Sequence, residues 1–240
     1  MSSASTRRAP WLIPAVIVLV AAGLVVASIL VSGRGETDAP TPSSTPAADV
    51  VGPETPTTID LARLEADDPL AVGPVDAPVS LIVYSDYQCP FCASWSADTG
   101  PVMLEYAAAG DLRIEFRDIV VFGEESQTAA RAAYAAGLQD RYLDFHDALF
   151  PGGEKLPARG LTEDALIATA EELGLDVERF TADLGSPEVA AEVQRNVDEA
   201  AAIGAFSTPA FLLAGQPILG AQPTDVFVGA VERALDEAGA

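Results

Sequence analysis

The sequence predicts an α/β domain: a mixed sheet flanked by helices, interrupted by an all-helical insertion and preceded by a transmembrane helix. Three observations predict it. Residues 79–122 read as strand, helix, strand, which implies a parallel pair. Residues of about 124–185 carry helical periodicity throughout, and the chain then returns to helix, strand, strand, helix. Residues 11–31, WLIPAVIVLVAAGLVVASILV, are almost wholly apolar.

From the N-terminus, residues 1–10 carry Arg7 and Arg8 and are expected in the cytoplasm, because positive charge flanks the cytoplasmic end of a span. The span itself is assigned to residues 11–32. As a helix, its apolar run rises about 31 Å, matching the hydrocarbon core of a bilayer. A cleaved signal peptide has a shorter apolar core and a small-x-small site, and neither fits here. A lipid anchor has no cysteine to carry it. Residues 33–58 are rich in Pro, Thr, Ser and acid, and read as a tether reaching about 30 Å as a coil or about 80 Å as polyproline.

The globular head begins at residue 59. Residues 79–86, VSLIVYSD, form a buried strand, with Pro78 at its start. Residues 93–109 read as one helix that stops at Gly110 and can kink at Pro101. Residues 111–122 alternate, with Leu112, Ile114 and Phe116 on one face, and form the second strand. Helices follow at residues 124–138, with a close-packing face of alanines, and at 141–150, ending at the Pro-Gly-Gly of 151–153. Two more are expected from Thr162 to Gly174 and over 176–184. Ser186-Pro187-Glu188 supplies an N-cap, an N1 proline and an acidic first turn for a helix to about residue 203. Residues 209–215 and 216–221 form a hairpin, and residues 223–238 a final amphipathic helix.

The chemistry is concentrated in residues 85–95, SDYQCPFCASW, which hold both cysteines of the chain, Cys89 and Cys92. Two thiols are too few for structural zinc or an Fe–S cluster, and the single histidine, His146, is remote in sequence and reads as a surface or packing residue. Haem attachment needs histidine where Ala93 stands. No metal and no cofactor is expected. A structural disulfide closing two residues restrains the unfolded chain little. The redox reading fits the setting best: Cys89 follows a strand and opens a helix, with Pro90 at its first position. The N–H groups and dipole of a helix start favour a thiolate. Cys89 is then expected exposed and nucleophilic, and Cys92, one turn in, shielded. Asp86 stands close enough to tune Cys89, or is a solvated strand-end carboxylate. Tyr84, Tyr87 and Trp95 line a peptide groove or pack in the core. With 36 acidic against 13 basic residues, a net charge of −23 excludes a nucleic-acid partner.

Residues 85–92, SDYQCPFC, preceded by GPVDAPVSLIVY at 73–84, resemble the DsbA-like thioredoxin-fold proteins of bacterial envelopes. So do residues 204–223, GAFSTPAFLLAGQPILGAQP. The likeness covers about residues 68–238. It implies a thioredoxin-like fold with the helical insertion between its halves. It implies that Cys89 attacks and Cys92 resolves, and that Pro209 is a cis-proline beside the pair, with the backbone of Thr208 binding substrate. The implied partners are exported cysteine-containing proteins as substrates and a membrane protein as reoxidant; the apolar run adds the lipid bilayer through residues 11–31. Two positions depart from the family: Phe91 replaces the histidine of its best-known oxidase, and Val83 the buried acid six residues before the first cysteine. The Cys89 thiolate is therefore expected to be less stabilised and the couple less oxidising. The expected function is disulfide formation in exported proteins by a single-pass membrane protein. The alternatives are a reductase or isomerase on the same fold, and a non-catalytic peptide-binding module.

Overall fold

In the computed structural model the chain is described over residues 58–240. The proposed span at 11–32 and most of the tether lie outside the described residues. Among those residues no helix is long and apolar enough to cross a membrane.

Five strands form one mixed sheet: β1 (Ala71–Val72), β2 (Val79–Ser85), β3 (Leu112–Asp118), β4 (Ala210–Leu213) and β5 (Gln216–Leu219), in the order β1-β3-β2-β4-β5. The β2–β3 pair is parallel, running from Val79 opposite Leu112 to Ser85 opposite Asp118. The other pairs are antiparallel. Strand β1 was not expected; two residues are too few to carry a periodic signal.

Among the described residues eight α-helices surround the sheet: α1 (Pro90–Asp98), α2 (Gly100–Ala109), α3 (Glu124–Gly137), α4 (Tyr142–Leu149), α5 (Glu163–Glu172), α6 (Val177–Leu184), α7 (Pro187–Ala202) and α8 (Thr224–Ala238). Helix α7 starts as its sequence demands: the Ser186 hydroxyl accepts from the Val189 N–H at 3.1 Å, with Pro187 in the first turn. The single helix expected over 93–109 is two. It begins at Pro90 and breaks at Thr99, because Pro101 offers no N–H and its ring crowds the carbonyl four residues back. Gly110 ends α2 in the left-handed region at φ 90°, as expected of a helix-stop glycine.

The sheet has apolar side chains on both faces. Leu81, Val83, Ile114, Phe116 and Phe211 face α1, α2, α8 and the α3–α6 insertion, in the main core. Ile82, Tyr84, Ala210 and Leu212 pack on the other face, with Ala200 of α7. Strand β3 is therefore buried on both sides and shorter than expected. Its charged residues are paired rather than solvated. Arg117, fully buried, bridges Glu115 (2.5 Å), Asp68 (3.3 Å) and Glu199 (3.4 Å). Glu115 also accepts the backbone N–H groups of Arg63 (3.0 Å) and Leu64 (2.8 Å), which ties the start of the head to the sheet.

Candidate active site

Parallel β2 and β3 end together, so the loop after β2 and the loop after β3 meet at one edge of the sheet. Antiparallel β4 starts at the same edge, which brings the Thr208-Pro209 loop across 119 residues to Cys89. Thr208–Pro209 is the cis peptide bond of the described residues.

Cys89 is the N-cap of α1 in extended backbone (φ −86°, ψ 117°), and its N–H donates to the Asp86 carbonyl at 2.9 Å. Its thiol donates to the Thr208 carbonyl at 3.2 Å. Cys92 lies one turn in; both thiols are free. Contrary to expectation, Cys89 is buried, because the Thr208 loop lies over it.

The two thiols are electrostatically unequal. A hydrogen bond from Cys92 lowers the Cys89 pKa most. Thr208 and the N–H groups of Cys92 and Phe91 add to this against the opposing effect of burial, and the value falls to about 6. The buried Thr208 hydroxyl has no other hydrogen-bond partner and is free to donate to a thiolate. Burial, with the neighbouring Cys89, pushes Cys92 well up; the Ser85 side chain and the backbone at Asp86 work against that rise. The site can therefore hold a thiolate at Cys89 beside a neutral thiol at Cys92. The low value at Cys89 is reached without a histidine at Phe91.

Pro90 occupies the first helical position, and Phe91 turns its ring to solvent at 64% exposure. Phe91 borders a cleft of about 310 Å³ completed by Ser94, Trp95, Asp98 and residues 221–224. Asp86 corrects one expectation. It is fully buried, not solvated, because the β3–α3 loop folds over it. Its carboxylate accepts from the N–H groups of Gln88 (2.7 Å), Val121 (2.7 Å) and Phe122 (3.2 Å) and from the Ser126 hydroxyl (2.7 Å). These bonds fasten the cysteine loop to its neighbour, and none reaches a thiol. Tyr84, Tyr87 and Trp95 are buried core residues, Trp95 packing against Phe211 and Phe227.

Sequence reasoning missed Ser85, Asp118 and the surroundings of His146. Asp118 is the register partner of Ser85, fully buried, and desolvation raises its pKa to about 7 although Tyr87 and Tyr142 donate to it. An acid ending the strand parallel to the one that leads into Cys-x-x-C was the available signal.

A dithiol of unequal acidity at a strand-to-helix junction, covered by a Thr-Pro loop, defines the thioredoxin class of site. A family profile described as Thioredoxin matches residues 65–233, and the chain belongs to that family. Its relatives place it among the DsbA-like members. It is 28% identical over 150 residues to the probable disulfide bond formation protein D of Bacillus cereus, covering 60% of this chain and 69% of that protein. A thioredoxin-like oxidoreductase from Silicibacter pomeroyi superposes with a TM-score of 0.62 at 30% identity, over 72% of this chain and 94% of that one. The chain is also 36% identical over 148 residues to the Na(+)/H(+) antiporter NhaA of Herminiimonas arsenicoxydans. That match takes in 62% of this chain and spans only 22% of the antiporter's length.

Proposed function

We propose that this protein is a membrane-anchored, extracytoplasmic thiol:disulfide oxidoreductase that forms disulfides in exported proteins through Cys89 and Cys92. The observation that carries the reading is the inequality of the two thiols beside Thr208-Pro209. In the oxidised protein a substrate thiolate attacks Cys89 Sγ. The Cys89–Cys92 bond breaks, and Cys92 leaves as a thiolate that takes up a proton, as burial favours. The substrate's second thiolate then attacks its own sulfur in the mixed disulfide and releases Cys89 as a stabilised thiolate. Two substrate thiols are oxidised and the pair is reduced; a membrane partner accepts the two electrons to restore it. Thr208 and Pro209 hold the substrate backbone, and the cleft beside Phe91 takes a neighbouring side chain. Residues 11–32 anchor the head, residues 33–58 give it reach, and Arg7 and Arg8 orient it outward.

The lowered Cys89 pKa stabilises the reduced form over a free thiol at neutral pH and so makes the couple more oxidising, but less so than a thiol held at the ~3.5 of DsbA. A couple less oxidising than the ~−120 mV of DsbA is therefore expected, which makes isomerisation the second reading. Equilibration with glutathione measures the potential; a value near the ~−270 mV of thioredoxin rules out the oxidase. A Cys92→Ser chain that traps no envelope protein as a mixed disulfide leaves only peptide binding.

A further inference from the structure

Tyr87 and Ser96 bracket the cysteine pair, Tyr87 just before Cys89 and Ser96 one turn beyond Cys92. Both bond to one side chain from the insertion, His146 of α4. Its Nδ1 lies 3.1 Å from the Tyr87 hydroxyl and its Nε2 3.0 Å from the Ser96 hydroxyl. Tyr87 also donates to Asp118 Oδ2 at 3.0 Å, and its ring stacks on Phe150 at 5.2 Å.

The donors and acceptors can be counted. Burial holds the His146 pKa at about 4, so the ring is neutral and carries one N–H. The single Tyr87 proton goes to the Asp118 carboxylate. The His146 proton is then assigned to Nδ1, which donates to the Tyr87 oxygen, and bare Nε2 accepts from Ser96. With Asp118 ionised, the bonds run from Ser96 to His146 to Tyr87 to Asp118; the Tyr142 hydroxyl also donates to Asp118 and lies 3.5 Å from His146 Nδ1.

We propose that His146 is a positioning residue for the cysteine pair, clamping the loop before Cys89 and the helix after Cys92 to the helical insertion in one register. The proposal rests on the reading of Cys89 and Cys92 as the reactive pair. The clamp matters because the thiolate at Cys89 is stabilised by hydrogen bonds from α1 and the Thr208 loop, and these weaken steeply with distance and angle. Tyr87 transmits the position of His146 to the loop, and Ser96 transmits it to the helix.

The test is the pH dependence of Cys89 alkylation by iodoacetamide in the reduced full-length protein, with Tm measured alongside. His146→Phe is expected to raise the Cys89 pKa by about one unit, cutting the alkylation rate at pH 6 about five-fold. Tyr87→Phe is expected to do the same, and the double variant no more than either alone, because the two act as one unit. His146→Asn, whose amide N–H replaces Nδ1–H, is expected to recover part of the shift. Folded variants that lose Tm but keep the wild-type alkylation profile reduce His146 to packing and overturn the proposal. Should His146→Phe not fold, Tyr87→Phe and Ser96→Ala, which each delete one hydroxyl, decide between the same two outcomes. No substrate enters this assay. A failed mixed-disulfide trap with the expected alkylation shifts therefore sinks the oxidase reading and leaves the clamp standing.

Discussion

Replacing Cys92 with alanine removes the group that most lowers the Cys89 pKa. A hydrogen bond to a charged group is worth about 1.5–3 kcal/mol, which is about 1–2 pKa units. Cys89 of Cys92→Ala is therefore expected to titrate at about 7–8 instead of about 6. At pH 6.5 a rise to the middle of that range cuts the thiolate fraction from about three-quarters to about one-tenth, roughly eight-fold. Cys92→Ser is the matched control: its hydroxyl still donates from the same turn, so the pKa is expected to stay near about 6. The assay is thiolate absorbance at 240 nm against pH, and each variant retains only Cys89 as a chromophore of this kind. Equal pKa values in the two variants would refute the reasoning. They would assign the stabilisation to the α1 N–H groups and Thr208 instead.

Thr208→Val keeps the carbonyl against Cys89 but deletes the free hydroxyl; the same titration is expected to show a rise of about one unit. Arg117→Ala strands Glu115 and Asp68 in the interior, where breaking a buried pair costs about 3–5 kcal/mol. Calorimetry is expected to show a Tm lower by about 6–20 °C, and a loss under a few degrees would mean that the network is wet. Asp118 has a folded pKa raised to about 7, so the folded state binds the extra proton. Its contribution costs nothing below the unfolded value of ~3.9, and the cost grows as pH rises toward 7. Urea unfolding is expected to show Asp118→Asn losing about 2–3 kcal/mol less than the wild type between pH 5 and 8. The variants must be compared with each other, because His146, held at about 4, gives the opposite slope between about 4 and 6.5.

What the sequence disclosed was whatever local pattern determines. The β2 run, the helix that Pro90 opens, the Ser186-Pro187 cap and the Gly110 stop are each set by neighbours a few residues away, and each stands where that pattern puts it. The pairing of Cys89 with Thr208 was legible for another reason: two motifs of one resemblance fixed a contact that no local pattern carries. The charged residues went the other way. Glu115, Arg117 and Asp118 sit in or beside a strand whose alternation marks only one buried face and went unread, and Asp86 was read as tuning Cys89 or as solvated. Their burial depends on what covers the second face and the sheet edge. That cover comes from α7, from the segment around Arg63 and Leu64, and from the loop at Val121 and Phe122, all placed by the tertiary fold. His146 shows the same limit at the site itself. Its role depends on Tyr87, Ser96 and Asp118 arriving from three elements, and only the closed sheet edge brings them together. Local sequence therefore marked Cys89, Cys92 and the α1 groups that lower the Cys89 pKa, whereas Thr208 and the His146 cluster come from the far strand's loop and the insertion. Phe91 and Val83 alone are thus an incomplete measure of how oxidising the pair is.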